Sequence, residues 1–336
     1  MALKNILGHS KQIGLVRQAI QHGRVPHAYL FSGVKGSGKG LLAENLAKLL
    51  NCQNPVDPGN ALDCCDECVS CKKVLNRSHP DVYFIKPDGQ FIKTEQLREV
   101  LKAVAFKPYE GRWKIFIIDQ AETLHPHGAN VLLKTLEEPT PRTFFILVTS
   151  NSNLILPTIL SRCQRVRFGG IPRTLLENAL QEKTKLSPSE ISFYADMAEG
   201  SLGKGLSLIE GELRGVAENQ VPNLQRFLME TKVEEPEGLE KFFELSQGLA
   251  NEKEKIPLLL DLLKSWYRDL VLWKMTKDES LLTHQKHKNF IIQQGESLST
   301  RDIFRRCDLV DQLSLDISQN ANIQLAIEKM ALSCLD

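Results

Sequence analysis

Four short apolar runs recur through the first half of the chain, and a helical pattern separates several of them. Ala28-Tyr29-Leu30-Phe31 ends at Ser32-Gly33, and Val82-Tyr83-Phe84-Ile85 is stopped by Pro87-Asp88-Gly89. Ile115-Phe116-Ile117-Ile118 ends at Asp119, and the fourth run is Thr143 to Thr149. Leu41 to Leu50 has helical spacing, and Ala129 to Glu138 reads as a helix closed by Pro139 and Pro141. Continuous apolar strands separated by helices predict a parallel sheet covered on both faces. That is an α/β nucleotide-binding architecture, with its ligand at the carboxyl ends of the strands.

The periodicity then changes. From Ile171-Pro172 to about Glu210 the pattern is short helices, carried by Leu175, Leu176, Ala179 and Leu180, then Ile191, Tyr194, Ala195 and Ala198. Beyond Gly211 there is no strand signal, and Leu258 to Met275 is the strongest helix of an all-helical segment. Trp266 and Trp273 lie seven apart and share a face of that helix, a bundle core in the plain reading. Lys286-His287-Lys288 and Arg305-Arg306 are expected to be solvated. The division that follows is 1–168, 169–211 and 212–336.

Composition narrows the function. The 336 residues are 42% hydrophobic, and 42 Lys and Arg against 41 Asp and Glu leave a formal net charge of +1. Such a balance excludes a wholly basic nucleic-acid coat. No apolar run approaches the roughly 20 residues that span a bilayer. The start, Met1 to Gly8, lacks an apolar core and reads as a domain edge. A cytoplasmic protein is expected.

Two motifs carry chemistry. Gly33-Val34-Lys35-Gly36-Ser37-Gly38-Lys39-Gly40 fits G-x4-G-K directly after a strand and before a helix. Backbone N–H groups there can wrap a phosphate chain, and Lys39 can reach the terminal phosphates. The alternative is a glycine turn beside a surface lysine. Position 40, where a Ser or Thr hydroxyl would bind Mg²⁺, is Gly40. Asp119 stands where a strand-end carboxylate would hold that metal, but Gln120 follows it. An amide is a poor general base. Glu122, two residues on, is expected to point elsewhere.

The second motif is cysteine-rich. Of eight cysteines, five lie between Cys52 and Cys71. Cys65, Cys68 and Cys71 form C-x2-C-x2-C, and Cys52 precedes them by thirteen positions. Four thiolates complete a tetrahedral zinc shell, structural rather than catalytic because no position stays open. Pro55, Asp57, Pro58, Gly59 and Asn60 are turn formers in the intervening loop. Free thiols or a redox pair are the competing explanation, Cys64 could replace Cys65, and His79 could be a ligand. Further on, Arg162 follows Leu156-Pro157-Thr158-Ile159-Leu160-Ser161. Taken alone it is a solvated arginine; at a domain edge it could reach a neighbouring subunit as an arginine finger.

Together, Gly8-His9, His27 to Gly33, the P-loop, the four cysteines, His79-Pro80-Asp81, Ile118-Asp119, Leu132 to Pro139 and Leu156 to Cys163 resemble the bacterial clamp-loader AAA+ proteins of DNA polymerase III. The likeness is greatest to their delta-prime branch, strong over residues 1–210 and weaker at Ser265 to Leu270 and Asn320 to Ala326. It implies an AAA+ module with a helical lid and an all-helical collar domain through which subunits assemble. It also implies a place in a five-subunit loader of a ring-shaped sliding clamp onto primed DNA, with tau/gamma and delta as partners. By the same likeness, the chain would be largely non-hydrolysing and would lend Arg162 to a tau/gamma ATP site. The lid position expected to sense phosphate through arginine is Gly203, with Lys204 beside it. Lys39 is retained, so ATP or ADP binding stays open. An active ATPase of the same fold, or a nucleotide-regulated DNA-binding motor, are the alternatives. Against the last, the sequence offers no strongly basic face and no aromatic stacking platform.

Overall fold

The computed structural model describes residues 3–57, 61–210, 221–230, 236–251, 255–319 and 321–335. Pro58, Gly59 and Asn60, and the boundary expected at 211 and 212, lie outside them. The chain divides into two compact units: residues 1–183 with 199–204, and residues 184–198 with 205–336.

The first unit is built on five parallel strands, β1 (Ala28–Gly33), β2 (Val82–Ile85), β3 (Lys114–Ile118), β4 (Thr143–Thr149) and β5 (Gln164–Phe168). Their order is β2-β3-β4-β1-β5. Side chains alternate across the sheet, so Tyr29, Phe31, Ile115, Ile117, Phe144 and Ile146 enter one core with α1 (Ser10–Gln21) and α2 (Lys39–Asn51). Ala28, Leu30, Phe116, Ile118, Phe145 and Leu147 enter the other, with α4 (Thr94–Val104) and α5 (Pro126–Glu137). α3 (Val69–Leu75) packs with the first core, and α6 (Pro157–Leu160) and α7 (Arg173–Lys183) complete the ordered helices before residue 184. A parallel sheet covered by helices on both faces is the α/β architecture that the apolar runs predict.

The four apolar runs all form strands. β5 is a fifth that the hydrophobic pattern does not announce, because Arg165 and Arg167 alternate with apolar residues on an exposed edge. Among the described residues it pairs with β1 alone, from Tyr29 with Gln164 to Gly33 with Phe168.

In the second unit the regular elements among the described residues are helices: α8 (Pro188–Met197), most of α9 (Leu202–Glu210), α10 (Val221–Glu230), α11 (Pro236–Asn251), α12 (Ile256–Thr276), α13 (Lys288–Ser297), α14 (Thr300–Ser318) and α15 (Ile323–Leu335). Trp266 is fully buried and donates from Nε1 to Gln294 Oε1 at 2.7 Å. Gln294 in turn donates to Gln225, and Gln225 donates to Tyr267 Oη. The relay gives Trp266, Gln294, Gln225 and Tyr267 hydrogen-bond partners inside the apolar bundle. Arg306 was expected in solvent but is buried, donating to the Cys334 carbonyl at 2.9 Å. That carbonyl belongs to the last turn of α15, which has no helical partner for it. No described helix is long and apolar enough to cross a membrane.

At the amino end of β2, buried Asp81 holds the approach to β3. Its carboxylate accepts from the backbone N–H groups of Tyr109, Glu110 and Gly111 at 2.7, 2.8 and 2.7 Å. Burial alone would raise this carboxyl, but the three donors outweigh it and hold it below the ordinary value of 3.8. A depressed folded value means that its stabilisation is present above pH 4 and lost as the pH falls through that folded value. Asp81→Asn is therefore expected to cost about 2–3 kcal/mol at pH 7. The resulting gap in thermal midpoint should narrow as the pH is lowered below about 4, which thermal melts across that range will measure.

Candidate nucleotide cradle and metal centre

The parallel register brings the ends of β1, β3 and β4 side by side, and the loops leaving them enclose one cavity. It has a volume of about 350 Å³ and is lined by P-loop residues, Asp119, Gln120, Glu122 and the end of β4 at Thr149 and Ser150. Gly36 and Gly38 turn the backbone with φ of +74° and +98°. At Gly36 a Cβ would lie 2.4 Å from Ser201 Oγ, so only glycine lets the loop pass beneath the segment before α9. A backbone cradle at the start of a helix is a fit for a phosphate chain.

Lys39 is buried and donates to the carbonyls of Gly33 and Val34 at 2.7 and 2.6 Å. Burial lowers its pKa, while Glu122 and Asp119 oppose the change. Asp119 Oδ1 accepts from the Gln120 N–H at 3.1 Å, and its Oδ2 lies 3.9 Å from Lys86 Nζ. Gln120 is exposed and takes the left-handed conformation, φ +53°. That reversal starts a short helical turn, Ala121–Thr123, which carries Glu122 back to β4.

Glu122 does not point away from the site as the sequence suggests. It lines the same cavity and accepts from the N–H of Ser150 at 3.1 Å and from its hydroxyl. Burial would raise its carboxyl, but bonds from Ser150 and Thr149 bring it below the usual carboxylate range. Residue spacing within the β3 loop could not show this, since the partners lie on another strand.

Gly40 opens on free space: a Cβ there meets nothing within 4 Å. Gly203 is the opposite case. Its N–H donates to Gly36 O at 3.2 Å, and a Cβ would come within 3.2 Å of the Gly36 Cα. A side chain at position 203 would require the Gly36 backbone to give by a few tenths of an ångström. Lys204 beside it pairs with Glu199 at 3.5 Å.

Arg162 is absent from the cavity lining. It follows α6, where Nη1 donates to the Thr158 carbonyl at 2.9 Å and Nη2 pairs with Glu137 Oε1 at 2.5 Å. Its side chain is one-third exposed. The structure thus brings Lys39 and Asp119 to one cavity, with Gly36, Gly38 and Gly40, and sets Arg162 apart.

The cysteines converge separately. The sulfurs of Cys52, Cys65, Cys68 and Cys71 all lie within 4.8 Å of one another. Backbone N–H groups of Cys65, Cys68 and Cys71 donate to the sulfurs of Cys52, Cys65 and Cys68 at 3.4, 3.3 and 3.4 Å. Such donors favour thiolates. Burial opposes ionisation of Cys68, yet the N–H groups of Cys71 and Gln53 bring its thiol down to about 6. Four convergent sulfurs with N–H support are a donor set that could hold a zinc ion, as a closed shell. Cys64 is outside the four, with its Sγ 3.6 Å from Asp66 Oδ1. His79 is also outside: its Nδ1 accepts from the Asp81 N–H at 3.1 Å, and burial first of all lowers the pKa of the imidazole.

A family model described as "DNA polymerase III, delta subunit" matches residues 8–172. The chain is similar to DNA polymerase III subunit delta' of Bacillus subtilis, 29% identical over 324 residues that cover 95% of this chain and 93% of that protein. It is also similar to DNA polymerase III subunit gamma of Buchnera aphidicola (subspecies Baizongia pistaciae), 29% identical over 334 residues, 97% of this chain and 82% of the relative. Identity alone does not separate the two. Among solved structures, a gamma subunit-related protein of Thermotoga maritima aligns over 96% of this chain and 98% of its own at 16% identity, with a TM-score of 0.43.

The packing around the loop gives opposite expectations for two glycines. Gly40→Ser should leave the thermal midpoint within about 2 °C of the parent, because the side chain enters open space. Gly36→Ala should lower it by several degrees, since about 1 kcal/mol shifts a domain of this size by 2–4 °C. Calorimetry of the two variants checks both.

Proposed function

This chain belongs to the clamp-loader family of bacterial DNA polymerase III, and within it we propose that it serves as the delta-prime subunit. In this role it is a largely non-hydrolysing AAA+ member of the polymerase holoenzyme. It helps to load the sliding clamp onto primed DNA, and its partners are the tau/gamma and delta subunits. Residues 1–168 form the nucleotide-binding module, 169–211 the lid and 212–336 the collar that joins the subunits in the cytoplasm.

One observation carries the assignment: Gly40 and Gln120 flank a cradle that otherwise keeps its shape. A hydroxyl that would help to hold magnesium and a carboxylate that would accept a proton from water are missing together. Lys39 and the P-loop backbone remain to bind ATP or ADP. Arg162 serves a different site. Its guanidinium, just past the short helix α6 and away from the chain's own cradle, would face the terminal phosphate of a tau/gamma neighbour and stabilise charge developing there. Zinc on Cys52, Cys65, Cys68 and Cys71 is structural: it ties the loop after α2 to α3, and its filled shell leaves no place for a substrate.

An active ATPase of the tau/gamma type is favoured by one observation, the return of Glu122 to the cavity. Its bonds to Ser150 keep it a weak base. Hydrolysis by the isolated chain that disappears on Lys39→Ala would establish that alternative; no turnover is expected.

Two experiments test the rest. In a complex reconstituted with tau/gamma and delta, Arg162→Ala should leave assembly intact on gel filtration and slow the ATP site it faces by about 10³–10⁵. Unchanged ATPase of the complex would remove the finger. Metal analysis should find about one zinc per chain, and Cys65→Ser/Cys68→Ser should lose both the metal and thermal stability. A metal-free, fully stable native chain would reject the zinc site.

A further inference from the structure

The cradle opens at Gly40 into a second cavity, of about 230 Å³, which shares Gly40, Leu41 and Asp119 with it. Two cations line this second space, Arg77 and Lys86. Arg77 is committed: its guanidinium lies 3.5 Å from the Phe84 ring centroid and pairs with Glu44 at 2.8 Å. Lys86, just past the end of β2, is exposed, and its Nζ lies 3.9 Å from Asp119 Oδ2. The Lys86 carbonyl accepts from Gln96 Nε2 at 2.9 Å, which anchors the base of this side chain to α4.

The residues here do not fit the divalent cation that a P-loop ordinarily employs. Mg²⁺ takes near-octahedral oxygen ligands, drawn from phosphates, water and one or two protein groups. One protein group, the hydroxyl at position 40, does not exist in this chain. Of the two carboxylates in the cavity, Glu122 is taken up by Ser150 and Thr149, and Asp119 has the Lys86 ammonium 3.9 Å away, which repels a second cation. We propose that Lys86 supplies at Asp119 the positive charge that magnesium supplies elsewhere, so that this cradle takes a nucleoside triphosphate without requiring a divalent cation.

The pair is weak by itself, because both groups meet water. A polyphosphate filling the shared space displaces that water and sets the ammonium between two anions, where its attraction is screened far less. Lys39 and Lys86 would then bracket the phosphate chain, one from the P-loop and one from β2. The proposal rests on the P-loop being a nucleotide cradle.

The test is equilibrium titration of the full chain with a fluorescent ATP analogue, in magnesium and in EDTA. For the wild type the two dissociation constants should agree within about threefold. Lys86→Met should weaken binding in EDTA by about tenfold, the equivalent of one lost charge contact, and should regain affinity on adding Mg²⁺. Lys86→Arg should bind as the parent does. Rescue by the metal distinguishes charge replacement from a merely structural contribution, and matching thermal midpoints will show that the variants fold. A tenfold loss of wild-type affinity in EDTA, or a Lys86→Met variant indistinguishable from the parent, would overturn the proposal and leave the cradle standing. No binding in either buffer would remove the cradle and the proposal together.

Discussion

The pairing of β1 between β4 and β5 is the constraint on which the rest of the first unit depends. Gly33 can leave this strand only as glycine, because a Cβ would lie 2.1 Å from the Phe168 carbonyl oxygen of β5. With that edge fixed and β4 on the other side, the chain enters the P-loop at one height in the sheet. The parallel register through β4 to β3 then sets Asp119 and Thr149 level with it. A cavity at those carboxyl ends follows from topology before any side chain is considered.

Charge within the cavity is close to balanced, and geometry decides how it is used. Lys39 is turned onto two carbonyls of its own loop, while Asp119 and Glu122 sit across from it. Ser150 and Thr149 occupy Glu122 from β4. At position 40 there is space without chemistry, and at 203 there is contact without space. Both positions are glycine, yet they act oppositely: Gly40 leaves room beside the cavity, whereas Gly203 admits the start of α9 against the loop at Gly36.

Much of the site was readable along the chain because its signals are local. The P-loop occupies eight consecutive residues, three of the cysteines fall within seven, and Asp119 ends an unbroken apolar run. Glu122 was misread because its fate depends on Ser150, twenty-eight positions away. Arg306 was misread for the same reason, its acceptor being the Cys334 carbonyl on another helix. β5 escaped notice because an edge strand with one face in solvent carries arginines where a central strand carries valine or isoleucine.

The sequence by itself determined the four apolar strands, the main helices and which chemical groups are present or missing, since hydrophobic period, glycine placement and residue identity are properties of neighbours along the chain. Gly40 and Gln120 are deficits in any fold. Only the tertiary structure decided which groups meet: Cys65 rather than Cys64 in the sulfur cluster, Glu122 beside Lys39, Arg162 paired with Glu137, and Lys86 beside Asp119. Those encounters are set by strand order and helix packing, which bring together residues whose separation in sequence carries no record of their distance in space.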